Sequence, residues 1–200
     1  MKVRHLLVLF LATALAACAA APESRSYYLL APPAVSTEIS APGDNRPTLV
    51  IESVELAEYL RQSGLVMQTG ENQLTISRTH LWAEGLDQAV PKALLGQLQQ
   101  KSDDYRFYLK FSDYVSQTDY RLRLHIESLQ ATDRGEVVAT GRYQLISSTD
   151  AANPLSANFY FKQNLASDGY AHAVEQMQTL VGQIADAILD SLEELDGAAR

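Results

Sequence analysis

Residues 120–147 read YRLRLHIESLQATDRGEVVATGRYQLIS. In this stretch Tyr120, Leu122, Leu124 and Ile126 alternate with Arg121, Arg123, His125 and Glu127. Successive side chains of a strand point to opposite faces, so a period of two buries the apolar set and leaves the polar set outside. Asp133-Arg134-Gly135 is a turn signal, and Glu136–Ser147 returns as the next strand. Beyond it, Ala157–Leu165 reads as a third strand with Phe159 and Phe161 on one face. The three together predict an antiparallel meander.

Toward the C-terminus the period changes. Tyr170, Val174, Met177, Val181, Ile184, Ile188 and Leu192 form one stripe at helical spacing, so a helix is predicted over Gly169–Leu195 with Asp168 as its N-cap. From Asp168 to Asp196 there are seven acids and no Lys or Arg. Such a helix is soluble on its outer side and packed on its inner side; a repulsive face toward anionic membrane is the alternative reading.

Toward the N-terminus, Thr48–Leu56 is rich in β-branched residues and reads as a strand, and Ala57–Gln62 as one helical turn ending near Gly64. Leu65–Thr69 and Gln73–Ser77 flank Gly70-Glu71-Asn72, a hairpin signal. Trp82, Leu86, Val90, Leu94 and Leu98 fall four apart, which predicts a helix over Leu81–Gln100. Pro91 conflicts with that span, because proline lacks the N–H a helix interior needs, so a kink or a later start is expected. Arg106–Phe111 is a further strand. Strands before, between and after the helices predict an α/β fold. Its sheet is mixed and largely antiparallel with packed helices, in a single domain over 48–196.

The first residues are not part of that domain. Lys2 and Arg4 precede an apolar run from Leu6 to Ala17, too short to span a bilayer, which ends Leu15-Ala16-Ala17-Cys18. Small residues followed at once by Cys resemble the lipobox of bacterial lipoprotein signals. That pattern implies a signal peptide over 1–17, cleavage before Cys18, and a diacylglycerol on the Cys18 thiol. Ala19 stands where Asp usually signals inner-membrane retention, which favours the periplasmic face of the outer membrane. Several acyl chains anchor stably, at about 0.8 kcal/mol per buried CH₂. Residues 18–47 hold five of the seven prolines and read as a tether, interrupted by Tyr27-Tyr28-Leu29-Leu30, a short strand that docks on the domain.

Composition narrows the function. The net charge is −8, and losing Lys2 and Arg4 makes it more negative, against the basic footprint that nucleic-acid binding needs. One cysteine excludes an internal disulfide framework. His80, His125 and His172 lie far apart and in no metal-ligand pattern, and no nucleophile elbow or phosphate loop is present. Neither catalysis, a metal nor a cofactor is expected. Arg121, Arg123 and His125, with Arg142 and Lys162 on neighbouring strands, read either as a cationic patch or as a solvated face of mixed charge.

The segment 59–87, YLRQSGLVMQTGENQLTISRTHLWAEGLD, resembles the PqiC/YmbA-type lipoproteins, the auxiliary lipoprotein component of ABC-type transport systems. The matching positions are Tyr59, Leu60, Gly64, Gln68, Leu81, Trp82, Ala83, Leu86 and Asp87. Tyr27-Tyr28-Leu29-Leu30 and Asp168-Gly169-Tyr170 resemble the family's entry strand and its last-helix motif. His80 and Gly85 depart from it, standing where Asn and Pro are usual. The resemblance implies a mixed α/β sandwich without catalysis, docked at the outer membrane through its anchor. Its partners would be a periplasmic MCE-domain protein and an inner-membrane transport component, moving lipid and protecting envelope integrity. Ring-like self-association would supply the enclosed path that a conduit needs. The motif residues read as structural or partner-binding, Trp82 as a core anchor ahead of a contact hot spot. A stand-alone lipid- or ligand-binding lipoprotein is the alternative and predicts a sizeable apolar cavity. A hydrolase with dispersed carboxylates is a third reading.

Overall fold

The computed structural model describes residues 24–30, 45–110, 112 and 118–198. The signal peptide expected over 1–17, Cys18 and the stretch 31–44 lie outside the described residues, as does Phe111. The elements are β1 (Ser26–Tyr28), β2 (Thr48–Leu56), a 3₁₀ turn (Glu58–Arg61), β3 (Gly64–Gly70), β4 (Gln73–Trp82) and α1 (Leu86–Lys101). There follow β5 (Arg106–Leu109), β6 (Tyr120–Thr132), β7 (Glu136–Ser147), β8 (Leu155–Asn164) and α2 (Tyr170–Ala198).

The alternation in 120–126 makes β6 the spine of one sheet. Along one edge it pairs antiparallel with β7 from Tyr120 to Ala131, and β7 pairs with β8, giving the predicted meander. Along the other edge it carries two parallel neighbours in turn, β2 beside its first half and β3 beside Ala131–Thr132. β5 joins β2, β4 joins β3, and β1 lies parallel on β4. The sheet is thus mixed, with a larger parallel share than hairpin signals alone implied.

Both helices cover one face of the sheet. Leu122, Leu124 and Ile126 of β6 and Val137, Ala139 and Leu145 of β7 are buried in one core with the helix stripes. From α1 come Leu86, Val90, Leu94 and Leu98; from α2 come Val174, Met177, Val181, Ile184, Ile188 and Leu192. Each such side chain contributes about 1.5–3 kcal/mol by leaving water. Tyr143 enters this core with its hydroxyl satisfied, donating to the Ala187 carbonyl of α2 at 2.8 Å.

Two sequence expectations need correction. The helix predicted from Leu81 begins at Leu86, and Trp82 is the last residue of β4. Its spacing to Leu86 coincides with the helical stripe only because strand end and helix start face the same core. The later start leaves Pro91 in the second turn, with the helix continuing to Lys101. At α2 the first-turn bond runs from the Ala173 N–H to the Gly169 carbonyl, so Gly169 rather than Asp168 holds the capping position. Its φ of 122° lies where only glycine sits without strain.

The far end of α2 is clamped. Asp196 accepts hydrogen bonds from the hydroxyls of both Tyr105, at 2.6 Å, and Tyr120. Burial, reinforced by the Asp196 carboxylate, pushes the Tyr120 hydroxyl up from 10 to about 12 and Tyr105 further in the same direction. The native state therefore holds these protons more tightly than the unfolded chain. Their contribution is complete below pH 10 and is lost as pH rises through the range to about 12. In urea titrations the midpoint should fall between those pH values. Asp196→Ala should destabilise by about 1–3 kcal/mol at neutral pH and make the alkaline fall shallower. An unchanged alkaline profile in the variant would remove the clamp from the account.

Candidate functional site

The segment from Tyr59 to Asp87 builds one end of the sheet rather than a cleft. Tyr59, on the 3₁₀ turn, donates its hydroxyl to the Glu127 carbonyl at 2.7 Å and lies 3.1 Å from Oε1 of the buried Gln130. That same Oε1 accepts the Leu129 N–H at 2.9 Å, so the turn is stitched to β6 beside its register shift. Leu60 is buried in the core. Gln68 donates to the Gly70 carbonyl at 3.1 Å and closes the β3–β4 hairpin. Gly64 is required by contact, because a β-carbon there would overlap the Ser77 carbonyl oxygen.

Ser77 marks an irregularity in β4. Its Oγ accepts the N–H groups of Thr79 at 3.3 Å and His80 at 2.9 Å, while the β3 register shifts between Gly64 and Val66. Past it, Leu81 pairs with both Gly64 and Tyr27. Trp82 is buried, and its N–H donates to the Ser63 carbonyl at 2.8 Å. The Ala83 N–H donates to Tyr28, tying the chain after β4 to β1. Gly85 caps α1 with a φ of −58°, inside the range a proline ring imposes. Leu86 is buried and Asp87 is exposed in the first turn of α1, where a carboxylate suits the positive end of the helix.

Sequence reasoning missed the group that these elements bring together. His80 Nδ1 lies 2.8 Å from the Tyr28 hydroxyl, and its ring stacks on Tyr170 at 3.9 Å between centroids. β1, β4 and the start of α2 thus meet in one aromatic cluster. The signals were present separately: Tyr28 and Tyr170 belong to the two outlying family-like motifs, and His80 is a departure. Beside the cluster, Leu65, Met67, Ala131, Leu165, Ala173 and Met177 line a largely apolar groove of about 330 Å³.

The polar face of β6 is a face of paired charge. Arg123 binds Glu52 at 2.5 Å, Arg142 binds Glu127 at 3.1 Å, and Lys162 binds Glu136 at 3.1 Å. The Arg123 hydrogen bond holds the Glu52 carboxyl below its usual value. His125 Nδ1 stands 3.6 Å from Glu55. The mixed-charge reading describes this surface; a cationic patch does not. Among the described residues no group of three or more His, Cys, Asp or Glu is placed to hold a metal ion. The same residues contain no helix long and apolar enough to cross a membrane.

Comparison with known proteins decides the family. The model of the ABC-type transport auxiliary lipoprotein component matches residues 28–189, from the aromatic cluster into the last turns of α2. The chain belongs to this family. Within the auxiliary lipoproteins it is 25% identical to the intermembrane transport lipoprotein PqiC of Escherichia coli over 189 residues, covering 94% of this chain and 97% of that one. The PqiC of Shigella flexneri matches to the same extent. A crystal structure of an uncharacterized protein superposes with a TM-score of 0.72 at 22% identity, over 85% of this chain and 99% of its own. Protein XCC0632 from Xanthomonas campestris gives 0.60 at 14%, over 82% and 92%. These structures share the auxiliary-lipoprotein fold, a mixed sheet with two helices. The family is one of transport lipoproteins and not of enzymes.

The motif geometry is testable at Gly64. The obstacle to a side chain there is backbone, so neither strand yields without losing register. Gly64→Ala should cost about 1–3 kcal/mol, read as a lower thermal midpoint. Gly70→Ala, where the added atom meets only ordinary contacts with Gln73, should change the midpoint far less.

Proposed function

We propose that this chain is the outer-membrane lipoprotein subunit of an MCE-type intermembrane lipid transport complex. Cys18 carries the lipid anchor, and the folded unit docks the periplasmic MCE-domain protein. The inner-membrane component completes the path, and the assembly supports envelope integrity. The observation that carries this reading is the end-to-end match to the intermembrane transport lipoprotein PqiC, which spans 97% of that relative. The structure adds one support. The motif residues Tyr59, Leu60, Gly64, Gln68, Leu81, Trp82, Leu86 and Asp87 hold β1, the hairpin and α1 together, and so act on docking by shaping the unit.

Tethering explains how such a subunit works without catalysis. A hydrophobic cargo crossing water exposes apolar surface at about 25 cal/mol per Å², and a docked chain of proteins removes that exposure. The test uses the chain with its own signal, a C-terminal affinity tag, light crosslinking and mild detergent extraction. An MCE-domain protein should be identified in the purified complex. Cys18→Ala should move the chain from the envelope pellet to the soluble periplasmic fraction. Absence of any MCE-domain protein, with phospholipid retained on the purified chain, would overturn the reading in favour of a stand-alone carrier.

A further inference from the structure

Four of the exposed apolar side chains lie along one sheet edge, Tyr27 and Leu29 beside the end of β4 and Leu74 and Ile76 near its start. Tyr27 is 62% exposed, Leu29 52%, Ile76 45% and Leu74 40%. Among the described residues only one other large apolar side chain is exposed, Tyr160 on β8. Residues 71–76, at the tip of the β3–β4 hairpin, are all exposed. A row of such residues on one face of a free sheet edge offers a contact surface.

The path of the chain says which contact. β1 is parallel to β4, with Ser26 opposite His80. The N-terminal end of β1 therefore points along the β4 edge in the direction of Gln73. Cys18 stands only seven residues before Arg25, a reach of about 25 Å when fully extended. β1 is also fixed to the body. Tyr28 is bonded to His80, Leu30 is buried, and the Leu29 carbonyl accepts from Gln178 at 3.4 Å. A lipid on Cys18, as proposed above, holds the membrane within reach of this edge.

Charge agrees with that placement. Arg25 and Arg78 are exposed at this edge and have no ion pair among the described residues, against the one exposed carboxylate of the hairpin tip, Glu71, in a chain of net charge −8. The acids of α2 concentrate at the opposite end, in Asp186, Asp190, Glu193, Glu194 and Asp196. A helix of 29 residues separates the two ends by about 43 Å, several screening lengths at physiological salt. An anionic surface attracts one end and repels the other.

We propose that the β1–β4 edge is a membrane-contact surface. It lays Tyr27, Leu29, Leu74 and Ile76 into the interface of an anionic phospholipid bilayer, with Arg25 and Arg78 at the phosphates. Tyrosine at headgroup depth and arginine beside it are the side chains that this interface favours. The anchor alone fixes one point of the molecule; this surface fixes its orientation, with α2 directing its acidic end into the periplasm. The inference rests on the lipoprotein reading above, and its test separates the two.

Cys18 is the only cysteine and is blocked by acylation, so introduced cysteines label selectively. The full-length chain carries an environment-sensitive fluorophore at Tyr27→Cys, Ile76→Cys or Asp190→Cys. Each is reconstituted into vesicles of phosphatidylethanolamine with phosphatidylglycerol as the minor component. Vesicle flotation reads the anchor; quenching by spin-labelled lipid reads the surface. Labels at 27 and 76 should shift to the blue and be quenched by lipid labelled near the headgroup, while the label at 190 stays open to iodide. Arg25→Gln with Arg78→Gln, or added salt, should reduce quenching at 76 several-fold without changing flotation. Chains that float while labels at 27 and 76 behave like the one at 190 overturn the surface and leave the anchor standing. A blue shift that grows with protein density and resists lipid quenching assigns the edge to a second copy and also overturns it. A chain that does not float removes the anchor, and without lipid quenching at 76 the surface falls with it.

Discussion

Everything in this fold depends on the pairing of β6. Its thirteen residues form, among the described residues, the one strand with three neighbours: β7 on one edge, and β2 followed by β3 on the other. That arrangement requires strict alternation. A slip of one residue would turn Leu122, Leu124 and Ile126 away from the helices and bring Arg121 and Arg123 beneath them. The penalty for burying those unpaired charges exceeds any single contact elsewhere in the sheet. Register in β6 thus sets register in β2, β3 and β7, and through them the position of β4 and β1.

The two helices then hold the ends of this framework differently. At its beginning α2 meets β1 and β4 through rings: Tyr170 on His80, and His80 on Tyr28. At its close it meets β5 and β6 through a carboxylate shared by Tyr105 and Tyr120. The first junction is aromatic and half-buried, the second ionic and edged by acids. The molecule therefore has chemically distinct poles, one at the N-terminal strand and one remote from it. Membership of the auxiliary-lipoprotein family gives that polarity a context, since such a subunit has a membrane on one side and a partner on another.

Local order was legible in the sequence, and long-range order was not. Period two in 120–126 and the seven-residue stripe of α2 identified strands and helix because each pattern is read along one element. Trp82 was misplaced because strand end and helix start present apolar residues to the same core, and spacing alone cannot separate them. The irregularity at Ser77 left no trace, being set by a side chain bonding to its own backbone two and three residues on. The parallel pairings were hidden because they join residues 50 to 70 positions apart with no turn to announce them. Tyr28, His80 and Tyr170 meet only once those pairings form. The lipobox around Cys18 needed no folding to be read. The bulk of the candidate site did.

The direction of β1 has a mechanical consequence. A strand pulled from one end can lose its hydrogen bonds singly, as in unzipping, or face the load on all of them together, as in shear. β1 is parallel to β4, so a load applied to its N-terminal end along the strand axis falls on its rungs at once, with Leu30 as a stop buried behind them. Three paired residues are few, yet in this geometry they share the force. Under the anchor proposed at Cys18, such a load would be borne by the sheet and not by the side chains that decorate it.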